Sequence, residues 1–187
     1  MRGWAIDFLS QPWPAITFVL LAALAAAGHR RLAEWLGWAR WPTLGLLLSL
    51  AVVLTLTLTP APNMPIGVPG VAGVGRCVGS LSDADGLWHG LIATTDLGER
   101  VGNIAMFVPV TFFAVLASRR PALVAAAGVL LSGAIELTQS VMHLGRECVG
   151  YDWVNNAIGA VLGVLLGALA IRLSTRQEAG VEESPPR

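Results

Sequence analysis

The chain contains 187 residues, of which 55% are hydrophobic and only 13% are charged, and its twelve acidic and twelve basic residues leave a formal net charge of zero. A soluble domain carries roughly 25% charged residues, so this composition excludes an ordinary soluble domain. The zero net charge gives no reason to expect a nucleic-acid partner. The composition predicts an all-α, polytopic helix bundle in the plasma membrane.

Five apolar segments are predicted to cross the membrane, because each comes near the roughly 20 residues that a transmembrane helix needs. They are Pro14–Gly28, Pro42–Thr59, Gly102–Ser118, Pro121–Met142 and Asp152–Leu173. We therefore expect three parts along the chain. Residues 1–95 hold two spans and a long loop, residues 96–173 form a three-helix core, and residues 174–187 are a polar tail predicted to be disordered.

The arginines predict the orientation of these spans. Eight of them fall on one side of the predicted membrane: Arg30, Arg31, Arg40, Arg119, Arg120, Arg172, Arg176 and Arg187. By the positive-inside rule that side is cytoplasmic, so the N-terminus is expected outside and the C-terminus in the cytoplasm. A cleaved signal peptide is the alternative for the first span, because residues 25–27 are three alanines, but the arginines directly after them suit an N-out anchor better.

The loop between the second and third spans has two parts. Pro60–Gly79 is rich in Pro and Gly and is predicted to lack regular structure. Ser82 then offers a helix N-cap followed by early acids, which predicts a short helix at the membrane interface. A loop of this length is either a lid over a binding site or a plain connector.

Cys77 and Cys148 lie in two loops that the predicted topology places outside, where a disulfide can persist. A bridge between them would close a loop of about 70 residues and contribute roughly 4 kcal/mol to stability in the chain-entropy model. The alternative is two separate thiols that behave as small apolar side chains.

Polar side chains recur at helical spacing near the outer ends of three spans. The third span carries Asp96, Glu99 and Asn103, the fourth carries Ser132, Glu136, Gln139, Ser140 and His143, and the fifth carries Asp152, Asn155 and Asn156. Glu136 lies about 9 Å below the outer end of its helix. Below the polar part of the fifth span, Gly159, Gly163 and Gly167 predict a seam at which another helix packs closely.

Lipid would penalise these polar faces, so we expect them to turn toward each other inside the bundle. The predicted result is a polar pocket in the outer half of the membrane, with Glu136 and Asp152 as candidate catalytic carboxylates. The predicted ligand-binding residues are Asn103, Gln139, Arg146 and Asn156. No spacing typical of a metal site is present, and no cofactor is expected.

A purely structural interpretation is open for each of these residues. Glu136 would pair with Arg146 and tie the fourth span to the loop that follows it. Asp152 would serve only to cap the fifth span. Asn155 is expected to hydrogen-bond between helices, whereas Asn156 is expected to line the pocket.

Four short motifs in this region resemble the VanZ-like family, small bacterial membrane proteins named for a member linked to low-level teicoplanin resistance. The motifs are Asn103-Ile-Ala-Met-Phe-Val-Pro109, Ile135-Glu136-Leu137-x-Gln139, Gly145-Arg146 and Asp152-x-x-x-Asn156-x-x-Gly159. They occur in the family's order and spacing between Asp96 and Gly167. An acid usually follows the arginine by three residues in that family, and Val149 stands there in this chain.

The resemblance implies a protein of the cell envelope, with a role in glycopeptide resistance as one expectation. The pocket has two interpretations. In the first, an enzyme acts on a lipid-linked envelope precursor or a lipid head group, with Glu136 as general acid or base and Arg146 holding a phosphate. In the second, a non-catalytic accessory protein holds a membrane lipid, a glycopeptide or another membrane protein. A transporter is less favoured because the spans show no internal repeat.

Overall fold

Seven α-helices can be bounded in the part of the chain that this computed structural model describes, which is residues 7–60, 69–71, 73–93, 97–144 and 148–182. They are α1 (Pro12–Leu36), α2 (Arg40–Leu58), α3 (Val74–Ser82), α4 (Ala84–Ala93), α5 (Leu97–Ser118), α6 (Pro121–Met142) and α7 (Gly150–Glu182). No strand occurs within these ranges. The predicted all-α fold is confirmed.

Five of the helices, α1, α2, α5, α6 and α7, are long and apolar enough to cross a membrane, as predicted. Two exposed tryptophans mark the ends of α1, with Trp13 60% and Trp35 81% accessible. From residue 13 to residue 35 a helix rises roughly 33 Å, close to the bilayer's hydrocarbon thickness of about 30 Å. Tryptophan favours the two membrane–water interfaces, so this spacing suits a membrane-spanning helix.

Two predicted boundaries were wrong because the helices continue past them. The first span was predicted to end at Gly28, but α1 continues to Leu36 and ends at Gly37, whose left-handed φ of 66° closes the helix. The fifth span was predicted to end at Leu173, but α7 extends to Glu182. Adding residues to an existing helix costs little compared with starting one, so a long apolar span carries a polar extension with it.

The helices pack in a definite order, with α1 against α2, α2 against α5, and α7 against both α5 and α6. Their shared core contains Val53, Phe107, Val110, Ile135 and Ala160. Because α6 and α7 run antiparallel, the last turn of α6 and the first turn of α7 lie at the same end of the bundle. We call this the polar end. The opposite end, where α1, α5 and α7 finish and α2 and α6 begin, is the arginine end.

The predicted glycine seam lies between α7 and α5. A Cβ added to Gly159 would collide with the backbone carbonyl of Ile104, and one added to Gly163 would collide with that of Val108. The absence of side chains lets the two backbones approach closely. The close approach also allows a hydrogen bond between the helices, in which the Thr111 hydroxyl donates to the Ala160 carbonyl at 2.8 Å. The seam fixes α5 and α7 as one unit.

The loop between α2 and α5 contributes a cap of two short helices, α3 and α4, at the polar end. The prediction of no regular structure was wrong for α3, which begins at Val74, whereas the predicted short helix is present as α4. Its cap is Asp83 rather than Ser82, since the Asp83 carboxylate accepts the Gly86 N–H at 3.1 Å. Ser82 instead closes α3.

The predicted disulfide between Cys77 and Cys148 is present, with 5.2 Å between the two Cα atoms. It joins α3 to the segment that enters α7. The neighbouring Gly150 N–H donates to the Ser80 hydroxyl at 2.9 Å, and Gly150 lies directly against the Ser80 carbonyl. The cap is therefore anchored to the start of α7 by one covalent bond and by close backbone packing.

Candidate functional site

A hydrogen bond joins two of the predicted site residues, Asn103 and Asp152. Asn103 lies near the start of α5 and Asp152 in the first turn of α7, and the Asn103 amide donates to the Asp152 carboxylate at 2.6 Å. A hydrogen bond to a charged acceptor is about twice as strong as a neutral one. The carboxylate also suits the positive end of the α7 dipole. Asp152 therefore hydrogen-bonds to α5 and also lies in the first turn of its own helix, α7.

Glu136 is buried in α6, with 3% of its surface accessible. Its carboxylate accepts the backbone N–H of Val149 at 3.2 Å. Val149 directly follows the disulfide-bonded Cys148, so Glu136 holds the segment that enters α7, one residue from the cap's covalent anchor. Arg146, the predicted partner of Glu136, lies outside the described residues.

Gln139 lies one turn beyond Glu136 and reaches a different helix. Its side-chain amide donates to the Thr57 carbonyl at 2.9 Å, and 5% of Gln139 is accessible. Thr57 is in the last turn of α2, where backbone carbonyls have no partner within the helix. Gln139 thus satisfies a helix end and ties α2 to α6, a pairing that the sequence analysis did not anticipate.

Asn155 and Asn156 are the least satisfied polar residues of the site. Asn155 is 1% accessible, and neither polar atom of its side chain has a hydrogen-bond partner among the described residues. The same holds for the Oδ1 atom of Asn156, which is 3% accessible. The prediction that Asn155 bonds between helices was therefore wrong. Buried amides without partners are uncommon and costly.

The packing of α6 on α7 brings these residues to similar depths. Gly128 lies against Ala160, and the Ser132 hydroxyl donates to the Trp153 carbonyl at 3.3 Å. Because the two helices are antiparallel, moving along α6 toward its C-terminus corresponds to moving along α7 toward its N-terminus. Glu136 therefore lies near the depth of Asp152. The result is a polar layer at this end of the bundle. Its members are Asn103, Glu136, Gln139, Asp152, Asn155 and Asn156.

Arg100 is a part of the site that the sequence analysis did not single out. It precedes Asn103 by three residues and therefore shares its helix face. Its guanidinium donates to the Leu91 carbonyl, in the last turn of α4. An arginine at a helix C-terminus satisfies an orphan carbonyl and suits the helix dipole. Arg100 therefore attaches the second cap helix to α5.

An apolar groove of about 600 Å³ lies between α1, α2 and α5. Along α5 it extends from Gly102, beside Asn103, to Phe113. Its lining is Phe18, Gly45, Leu48, Ser49, Val52, Gly102, Ala105, Met106, Pro109 and Phe113. The groove thus begins at the depth of the polar layer and continues toward the arginine end.

The site offers hydrogen-bonding groups rather than metal ligands. Among the described residues, no three His, Cys, Asp or Glu side chains come close enough together to hold a metal ion. The polar layer supplies two carboxylates and four amides, and its described hydrogen bonds go to protein groups. Such a layer can bind a hydroxylated or amide-bearing group if that group displaces some of these internal contacts.

Comparison with protein families shows that residues 46–171 match the family model VanZ/LLP1. This range is about two thirds of the chain and runs from α2 into the last membrane-crossing part of α7, so it includes the cap, the seam and the polar layer. Neither the curated proteins nor the solved structures give a match. The resemblance in the short motifs is thus confirmed over a longer stretch, and the chain belongs to the VanZ/LLP1 family of membrane proteins.

Proposed function

We propose that this protein binds a membrane lipid or lipid-linked envelope precursor, with the hydrocarbon tail in the groove and the polar head group beside Asn103 and Asp152. The observation that carries the proposal is that the apolar groove and the polar layer adjoin each other on α5. Gly102 lines the outer end of the groove, and the next residue, Asn103, belongs to the polar layer. A lipid has the same division into an apolar and a polar part. The volume of about 600 Å³ is in the usual range for small-molecule sites.

The orientation that accompanies this proposal has the N-terminus outside and the C-terminus in the cytoplasm. The positive-inside rule favours it, because exposed arginines around two interhelical links and in the last part of α7 lie at the arginine end. The disulfide at the polar end also favours it, since disulfides persist in oxidising compartments. The ligand would then be taken from the outer leaflet of the plasma membrane, where envelope precursors are used.

Binding without catalysis is the interpretation that the geometry favours. Glu136 and Gln139 are each at most 5% accessible, and each holds a backbone group of a neighbouring segment. A general acid or base must reach its substrate within hydrogen-bond distance. Catalysis by Glu136 and Asp152 is the second candidate, supported by the similar depth of the two carboxylates, and it requires the layer to open.

The experiment is lipid analysis of the purified full-length protein by mass spectrometry, with one variant that fills the groove. Ala105 lines the groove and is exposed on α5, so Ala105→Trp should fill the space without disturbing the core. Ala126→Trp on the exposed face of α6 is the matched control. We expect a specific lipid class to copurify with wild type and with Ala126→Trp and to be lost from Ala105→Trp. Equal lipid content in all three proteins would contradict the proposal.

A role in glycopeptide resistance is tested separately by growth under teicoplanin. A deletion strain is compared with strains that carry wild type, Ala105→Trp or Ala126→Trp. If lipid binding serves resistance, wild type and Ala126→Trp restore growth and Ala105→Trp does not. Equal growth of all strains would exclude the resistance role and leave the lipid-binding proposal to be decided by the lipid analysis.

A further inference from the structure

The arginine end presents a dense group of exposed cations. Seven arginines are exposed there: Arg30, Arg31, Arg40, Arg119, Arg120, Arg172 and Arg176. Glu34 is the one acid at this end whose side chain the structure describes, and it pairs with Arg40 at 2.9 Å. The other six arginines have no ion-pair partner within the described ranges. Positive charge is therefore in large excess at this end.

Contacts between helices bring several of these arginines together. The Ala39 N–H donates to the Ala117 carbonyl at 3.4 Å, which joins the turn before α2 to the last turn of α5. Arg40 directly follows the first of these residues, and Arg119 and Arg120 follow the second. This bond therefore places the backbone next to Arg40 close to the backbone that leads to Arg119 and Arg120.

A third helix contributes at the same depth. Gly167 of α7 packs on the Phe112 carbonyl of α5, where an added Cβ would stand 3.0 Å from the oxygen. The two helices run parallel, and Arg172 and Ala117 each lie five residues beyond this contact. Arg172 therefore lies near the depth of Ala117. Arg119, Arg120 and Arg172, which we call the arginine ring, therefore belong to one level.

Exposed aromatic residues indicate what this level faces. Trp35 is 81% and Trp41 is 76% accessible, and both adjoin the arginine-rich links. Exposed tryptophans of a membrane protein favour the head-group region. In addition, α2 and α6 both begin at this end without a side-chain cap and without an acid in the first turn. At these two helix starts, therefore, no acid in the first turn competes with an incoming anion.

We propose that the arginine ring binds the phosphate groups of anionic phospholipids such as phosphatidylglycerol. Arginine matches phosphate through paired, charge-assisted N–H bonds, and the tryptophans put the ring at head-group depth rather than in free solution. A lipid phosphate is therefore a better fit than a soluble anion. The proposal concerns the end of the bundle opposite the polar layer and does not depend on the proposed function.

The test uses full-length protein reconstituted in phosphatidylcholine vesicles with spin-labelled lipid. Electron paramagnetic resonance gives the preference of the protein surface for labelled phosphatidylglycerol over labelled phosphatidylcholine. The variant is Arg119→Gln/Arg120→Gln/Arg172→Gln, which leaves the Arg40–Glu34 pair intact. Arg119→Gln alone is compared with Arg76→Gln, an exposed arginine at the polar end. Circular dichroism establishes that each variant keeps its helical fold.

Each arginine near an anionic lipid surface is worth about fivefold in binding, so we expect the triple variant to lose at least about tenfold of its preference for phosphatidylglycerol. Replacing the same three residues by lysine should retain most of it. Arg76→Gln should have no effect. An unchanged preference in the triple variant, or an equal loss in Arg76→Gln and Arg119→Gln, would overturn the proposal.

Discussion

The Asn103 amide in α5 donates a 2.6 Å hydrogen bond to the Asp152 carboxylate in α7. The bond lies at the polar end of the seam, just beyond the point where Gly159 meets the Ile104 carbonyl. It therefore joins two helices whose backbones are already in close contact. It also puts a carboxylate beside the end of the apolar groove that lies nearest the polar layer, at Gly102. This arrangement gives the proposed lipid site both of its parts.

Removing the donor of this bond should cost stability. We expect Asn103→Ala to lower the free energy of unfolding by about 1–3 kcal/mol, because a partly buried carboxylate loses a strong hydrogen bond. Thermal unfolding in detergent measures the loss, and a double-mutant cycle with Asp152→Ala isolates the pair. A coupling energy of about 0.5–3 kcal/mol is expected for residues in contact. Simple additivity of the two single substitutions would show that the bond contributes nothing.

The glycine seam should not tolerate even one methyl group. In Gly159→Ala the new Cβ would collide with the Ile104 carbonyl, a backbone atom that moves only if the helix moves. We expect a loss of about 1–3 kcal/mol, typical of overpacking. Gly28→Ala is the control, because nothing lies within 4 Å of a Cβ added to this glycine of α1. That substitution should raise helix stability by about 0.5–1 kcal/mol, and destabilisation in both variants would contradict the seam.

Removing the disulfide should weaken the attachment of the cap helices α3 and α4 to the start of α7. Cys77→Ser is expected to lower stability by about 2–5 kcal/mol, and Cys77→Ser/Cys148→Ser should lose the same amount because either change removes the same bond. Wild type in the presence of a reductant should match both variants. Thermal unfolding of the three samples is the measurement. A wild-type protein that is indifferent to reductant would show that the bridge does not stabilise the native state.

Asn155 and Gln139 should respond oppositely to replacement by leucine. Asn155→Leu removes a buried amide without described partners, so we expect unchanged or increased stability. Gln139→Leu removes the donor to the Thr57 carbonyl and should cost about 1–3 kcal/mol, because a buried acceptor is left unsatisfied. The pair is measured side by side by thermal unfolding. Destabilisation by Asn155→Leu as large as that by Gln139→Leu would mean that a water or ligand group binds Asn155.

Periodicity and composition predicted the parts of this fold that depend on a single helix or on close packing of small residues. The five long helices follow from apolar length, and the contact of Gly159 and Gly163 with α5 follows from their four-residue spacing. The Cys77–Cys148 bridge followed from the predicted topology. The helices and the seam each follow from one local property of the sequence, whereas the bridge followed from placing two distant loops on the same side of the membrane.

Other features depend on tertiary contacts that no local pattern contains. The α3 segment, Val74–Ser82, is glycine-rich and weakly helical by propensity, yet it folds against α6 and α7, where the disulfide and the Gly150–Ser80 contact hold it. Arg100 could not be singled out from the sequence, because its guanidinium donates to the Leu91 carbonyl at the end of α4, a contact that only the tertiary structure creates. Gln139 lies on the predicted polar face, but its partner is a backbone carbonyl, which every residue carries.

Photolabelling with a lipid tests the proposed function most directly. Full-length protein is incubated with a phospholipid that carries a photoreactive group in its acyl chain, and labelled peptides are mapped by mass spectrometry. Labels should concentrate on the groove-lining segments, residues 45–52 of α2 and 102–113 of α5 together with Phe18 of α1. Ala105→Trp should remove these labels, whereas Ala126→Trp should not. Even labelling of all lipid-facing helices, unchanged by Ala105→Trp, would contradict a lipid site in this groove.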